Sequence, residues 1–253
     1  MDPSVWGPAC WRLMFAATFK LPRARCLVLF DSLRYLLPCV HCRRSYRLYL
    51  QRFPPSLAID SSSPDAAARF AWVVKDSVNG KLGASALPFS VLRARHDVFE
   101  SSVSRMDASD FLCCVAMQVD EQDQVDAYAR YAGVLDDLLR ACGEPLSMHL
   151  PLDAKYKSPA TLWLHALRVK QDLCSSLGFP APTRETMRAR YRREGDGPSK
   201  PLPPPSSTPR SARLFSQPSS SSALTPSTRP STRSSSSSFP RTALRRGGRR
   251  GGR

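Results

Sequence analysis

The chain holds 253 residues, 42% of them hydrophobic, with 37 Lys and Arg against 21 Asp and Glu and a formal net charge of +16. That apolar content suits ordinary packed cores, and eight cysteines are too dilute for a small disulfide-stapled scaffold. The charge is uneven: residues 188–253 carry 15 basic side chains against Glu194 and Asp196, leaving 22 basic and 19 acidic ones for the first 187 residues. The basic character therefore belongs to a tail rather than to the part expected to fold.

Asp2-Pro3-Ser4 supplies a cap and a helix-compatible proline. Trp6, Cys10, Leu13 and Ala17 then recur at helical spacing, with Trp11, Met14, Phe15 and Thr18 beside them, a wide apolar face suited to burial or to a large flat ligand. Pro22 opens a second pattern carrying Cys26, Leu29, Phe30, Leu33, Leu36 and Leu37, and Pro38 ends it. A third helix, with Tyr46, Tyr49, Leu50 and Phe53, runs until Pro54-Pro55. Ser63-Pro64-Asp65 starts a fourth, with Ala67, Phe70, Ala71, Val74 and Val78 in register, fading at Gly83. Four helices joined by short proline-marked loops predict a small helical bundle, and no period-2 pattern marks a strand.

Between the second and third helices lies Leu37-Pro38-Cys39-Val40-His41-Cys42-Arg43-Arg44. The spacing predicts Cys39 in the first helical turn and Cys42 one turn later on the same face, within disulfide reach. Unpaired backbone N–H groups, the positive end of the helix dipole and two arginines all lower a thiol pKa there. Redox chemistry, a structural disulfide and half of a zinc site remain open on these residues alone. A zinc site would need two further ligands, yet the chain has no second CxxC and only four histidines.

Residues 84–106 read as irregular. Helical patterns resume with Phe111, Val115 and Met117, then with Val125, Tyr128, Ala132, Leu135, Leu139 and Cys142, closed by Gly143. A last one after Ser158-Pro159 carries Leu162, His165, Ala166, Val169 and Leu173 up to Gly178. These helices can form their own core or pack on the first bundle, and His165 on an apolar stripe reads as a core residue. Cys10, Cys26, Cys113, Cys114, Cys142 and Cys174 read as small apolar fillers rather than as a second redox pair. Beyond about Gly195 the composition turns to Ser, Pro and Arg, which cannot bury enough surface to order a chain. Its Arg-Gly ending, Arg245 to Arg253, suits salt-dependent, nonspecific contact with nucleic acid.

Three segments share one order and spacing: Trp6-Gly7-Pro8-Ala9-Cys10-Trp11, then Pro38-Cys39-Val40-His41-Cys42 with Tyr46, then Val78-Asn79-Gly80-Lys81-Leu82-Gly83. Together they resemble the Erv/ALR family of FAD-dependent sulfhydryl oxidases, whose pattern is W-G-P-x-x-W, P-C-x-x-C and H-N-x-V-N-x-K-L-G. The layout looks like that of members from large DNA viruses, which carry an extra C-terminal helical domain. The expectation is thus an all-α protein: an oxidase-like, FAD-cradling bundle over 1–92, a second helical domain over 93–187, and a disordered basic tail over 188–253.

The resemblance implies that Cys39 and Cys42 are catalytic. An incoming substrate thiolate would attack Cys39, and Cys42 would face the flavin. Electrons would leave the dithiol through FAD to O2, giving hydrogen peroxide. Trp6, Gly7, Pro8, Trp11, Tyr46, Val78, Asn79, Lys81 and Leu82 would line the cofactor site. Phe15, Lys75 and Asp76 occupy its histidine, histidine and asparagine positions. Implied partners are a thiol-bearing protein, such as a small CxxC protein, and a second copy of the chain in a homodimer. No metal is expected. Met1-Asp2-Pro3-Ser4 lacks the basic region of a secretory signal, and no uncharged run approaches the roughly 20 residues of a membrane span. The expected location is intracellular, in host cytoplasm or virion, without a membrane. The rival reading is a non-enzymatic nucleic-acid or virion-binding protein that uses the Arg-Gly tail, with a degenerate oxidase fold.

Overall fold

The computed structural model describes residues 3–59, 63–85, 87–144 and 153–191. Among these residues the chain is all-α and contains no strand. The helices are α1 (Pro3–Lys20), α2 (Arg23–Leu36), α3 (Val40–Arg52), α4 (Pro55–Ala58), α5 (Ala66–Lys81), α6 (Phe89–Arg93), α7 (His96–Ser102), α8 (Arg105–Ala116), α9 (Gln122–Ala141), α10 (Pro159–Ser176) and α11 (Arg184–Arg190), with a 3-10 turn over Ala154–Tyr156.

The punctuation in the sequence sets most of these boundaries. Pro22 and Pro54 sit just before α2 and α4 in extended backbone, where a missing N–H costs nothing. Ser104 accepts the backbone N–H of Asp107 at 3.0 Å to start α8, and Glu121 with Gln124 forms a reciprocal capping box on α9. Gly83 and Gly143, at φ +67° and +73°, reverse the chain after α5 and α9 in a region that side chains with a Cβ avoid.

α1 is the central strut. It packs against α2 and α5, and also against α7, α8 and α9, while α2 lies along α9 and α8 along α10. One hydrophobic cluster runs from Trp6 to Tyr191, so the helices after residue 92 share their core with those before it. Phe30 of α2 meets Phe70 of α5 edge-on at 4.7 Å. Phe111 of α8 sits between Trp6 of α1, at 6.3 Å, and Tyr131 of α9, at 5.5 Å. Arg12 grips both carboxylate oxygens of Asp107, at 2.6 and 3.1 Å, tying α1 to α8. At the far end, buried Lys170 of α10 donates to Asp110 of α8 at 2.7 Å and to Ser109 at 3.2 Å.

Two expectations are corrected. Residues 84–106 are not irregular: α6 and α7 form there, α6 burying Phe89 and Leu92 and α7 lying on α1. Short helices of this kind are held by such contacts and leave little periodicity to read. Residues 188–191, assigned to the tail, instead complete α11 and bury Tyr191, whose hydroxyl donates to Asp110. The rest of the expected tail, with its Arg-Gly ending, lies outside the described residues.

Candidate active site

The chain leaves α2 at Leu37, turns through Pro38 and enters α3 at Val40. Cys39 is the cap rather than a member of the first turn, with φ −106° and ψ 123°. Its Sγ accepts the backbone N–H of Cys42 at 3.3 Å, filling the place usually taken by a Ser or Asp oxygen. Arg43 braces the turn by donating from Nη1 to the Leu37 carbonyl at 2.6 Å. Both thiols are free and half-buried.

Their acidities are driven apart. The Cys42 thiol donates a hydrogen bond to Cys39, and the N–H groups of Cys42 and His41 add theirs. Together they outweigh partial burial and bring the Cys39 thiol down to about 6. The same shared proton, with burial and the charge on Cys39, pushes Cys42 up, while Arg43 pulls it down more weakly. Cys39 is thus the sulfur that ionises first, and Cys42 is its proton donor.

α3 and α5 meet beside this pair through side chains. The Tyr49 hydroxyl donates to the Ser77 carbonyl at 3.2 Å, and Lys81 Nζ donates to Ser45 Oγ at 3.1 Å while lying 4.9 Å from the Tyr49 ring centroid. Burial lowers the Lys81 pKa, and the nearness of Cys42 acts against that shift. Further along α5, Lys75 Nζ sits 4.6 Å over the Trp11 ring of α1. Burial lowers this ammonium too, offset by neighbouring Cys10. Trp11, Lys75, Asp76, Val78, Asn79 and Lys81 are all half-buried.

The remaining expected cofactor residues differ in exposure. Trp6 is buried against Phe111, its indole N–H without a partner among the described residues, and Gly7 is buried beside it. Phe15 is enclosed by Trp11, at 6.2 Å and 28°, and by Phe99, at 5.2 Å. Tyr46 is buried and donates from its hydroxyl to the Phe30 carbonyl at 3.2 Å. Pro8 and Leu82 are exposed. Ser45 and Tyr49 join the site without having been assigned to it, although Cys42, Ser45 and Tyr49 follow the i, i+3, i+7 spacing that marks one helix face.

A flavin dinucleotide needs a flat apolar surface for its rings and cations for its diphosphate. Lys81 beside Cys42, and Lys75 further along α5, meet the second need: among the described residues neither ammonium pairs with a carboxylate, so a bound anion would relieve both, while the Trp11 ring is already met by Lys75 and Phe15. Phe15 and Tyr46 offer no open face in this arrangement, so the fit is to the anionic part of such a ligand.

The other cysteines differ. Burial raises Cys10 and Cys114 to about 12 and Cys26 to about 11, and drives Cys113 well up. Cys174 is buried and Cys142 half-buried. His165 is buried with Nδ1 3.2 Å from the Tyr128 hydroxyl, and burial lowers it to about 4. Among the described residues no three His, Cys, Asp or Glu gather as a metal site, and no helix is long and apolar enough to cross a membrane. Comparison of the chain with protein-family models, curated proteins and solved structures found no match.

Proposed function

We propose that the protein is an FAD-dependent thiol oxidase that forms disulfides in a protein substrate, with dioxygen as terminal acceptor. The observation that carries this reading is a half-exposed CxxC at a helix start: Cys39 caps α3, its Sγ accepting the Cys42 N–H at 3.3 Å, a setting that lowers Cys39 to about 6 and raises Cys42. A pair so arranged exchanges disulfides quickly, because a low-pKa Cys39 leaves readily when a substrate's second thiolate displaces it.

When bound, the flavin would accept two electrons from the dithiol and pass them to dioxygen, giving hydrogen peroxide. The chain's own residues do the rest. With Cys39 and Cys42 joined, a substrate thiolate attacks Cys39 and Cys42 leaves as thiolate, stabilised by Arg43 and Lys81. The second substrate thiol then expels Cys39, whose charge is received by the N–H groups of His41 and Cys42. Trp11, Lys75 and Lys81 would hold the cofactor, with the two ammoniums serving its diphosphate.

The test is spectroscopic. Purified full-length protein, as isolated or reconstituted with FAD, is expected to show flavin absorbance that bleaches under a dithiol without oxygen and returns on aeration. Absence of both flavin binding and thiol-dependent oxygen uptake would sink the reading.

A further inference from the structure

We infer that the outward face of α3 selects substrates whose reactive cysteine is flanked by acidic side chains. The inference rests on the thiol-oxidase reading and deepens it by naming a substrate class.

α3 carries Arg43, Arg44, Arg47 and Arg52 and no Asp or Glu. Arg43, Arg44 and Arg47 line, with Val40 and Leu48, a groove of about 240 Å³ that starts at the residue following Cys39. Arg44 and Arg47 are exposed, and among the described residues neither pairs with a carboxylate. Arg47 is nonetheless posed: its Nε donates to the Arg34 carbonyl at 3.1 Å, and its guanidinium lies 5.5 Å from the Tyr35 ring centroid. Val40 and Leu48, 47% and 53% exposed, give the groove apolar edges two turns apart.

A concave surface lined by one sign of charge focuses its field and draws opposite charge. Arginine in addition binds carboxylates through paired N–H donors. The field is local. The adjoining groove of about 700 Å³ shares Arg47 but is also walled by Asp31, Glu121 and Asp123, so it does not sort ligands by sign. The α3 groove combines unmixed positive charge with contact at Val40, the residue after Cys39. The occupant it fits is an extended acidic segment with an apolar side chain for the Val40–Leu48 edge and a cysteine delivered at Cys39.

The exchange balances. The substrate thiolate forms a bond to Cys39 Sγ as the Cys39–Cys42 bond breaks. The substrate's second thiolate then displaces Cys39, leaving the substrate as disulfide and the enzyme pair reduced by two electrons. The two thiol protons pass to the enzyme dithiol or to solvent. The flavin and dioxygen of the proposed function reoxidise the pair.

The experiment compares full-length protein acting on dithiothreitol and on two Cys-Gly-Gly-Cys peptides identical but for flanking Asp-Leu-Glu or Lys-Leu-Lys. Oxygen uptake gives kcat/KM at low and high ionic strength. The acidic peptide is expected to exceed the basic one by about tenfold or more at low salt, at the lower end of electrostatic steering, and to lose most of that advantage at about 0.5 M salt. Arg44→Glu, which leaves the groove's charge at +1 in place of +3, should shrink the ratio severalfold, and Arg44→Lys should keep it. Because the ratio is read within each variant, a general loss of activity cancels. Dithiothreitol oxidation with a peptide ratio within twofold of one, indifferent to salt and to Arg44→Glu, overturns this inference and leaves the oxidase reading standing. No oxidation of any thiol overturns both.

Discussion

Cys39 and Cys113 are the same side chain under opposite physics. Cys113 lies inside α8 against α10, where its thiol reaches the Ala166 carbonyl at 3.6 Å and burial drives its pKa far up. Cys39 stands one residue outside α3, where N–H groups not yet claimed by the helix turn toward the sulfur. In the first setting the sulfur fills space as a small apolar group, and in the second it replaces an oxygen cap. Composition cannot separate the two, because the difference lies in whether a helix starts at the cysteine or runs through it. The contrast extends to the regions: the α8–α10 side has a closed core, while the α3–α5 side is joined by side chains and keeps half-buried cations.

The sharpest way to break that contrast is to delete the sulfur that the substrate attacks. Under the proposed function, Cys39→Ser should lower thiol-driven oxygen uptake by about a thousandfold or more, because Cys39 and Cys42 act as a unit. Cys113→Ala should leave that rate within a fewfold of the parent.

Next in size is a change confined to the closed region. Lys170→Met strips Asp110 of a buried cation but leaves it the Tyr191 hydroxyl and Arg190 at 3.8 Å. With Asp110 partly exposed, the loss should fall at or below the low end of the roughly 3–5 kcal/mol typical of broken buried pairs. Denaturant unfolding would measure it. A loss under 1 kcal/mol would mean that α10 is not anchored there.

Cys10→Ser should cost about 1–3 kcal/mol, because a hydroxyl replaces a thiol that behaves as an apolar group in α1. Cys39→Ser should cost little near pH 6, since serine caps helices well and the Cys39 thiolate contributes little stability there. A thermal melt of both variants would show whether the two cysteines differ in this way.

The contrast also shows in pH. Reduced Cys39 has a folded value near 6 against an ordinary value of 9.0, so the unfolded chain holds an extra proton between them. Stability of the reduced protein should therefore climb from about pH 6 toward 9 and be lost as pH falls back through 6. Cys42, shifted upward, acts in the opposite sense only above 9. Cys39→Ser should flatten the climb in melts between pH 6 and 8. Alkylation at pH 7 should mark Cys39 before any other cysteine, and modification of Cys10 or Cys113 in the native protein would contradict their burial.

Much of the fold was legible because proline, glycine and 3.6-residue periodicity agree over the long helices. α6, α7 and α11 were not legible: five to seven residues give barely two turns of pattern, and their place depends on what they pack against. The same holds at the site. Spacing alone marked Cys39 and Cys42 as a pair, and a helix wheel would have added Ser45 and Tyr49. Nothing in the Trp6–Trp11 segment says that Trp6 turns toward Phe111 while Trp11 meets Lys75 across α5, because both contacts join residues far apart in the chain.

The cap on α3 also has a thermodynamic side. The N–H of Cys42 stabilises the charge on Cys39 only while that sulfur is a thiolate, so the preference for the low-pKa form belongs to the reduced pair alone. Stabilising the reduced form raises the reduction potential and makes the corresponding disulfide a stronger oxidant. Under the proposed function, the turn that makes Cys39 a good leaving group would thus also favour electron flow from a substrate's thiols into this pair.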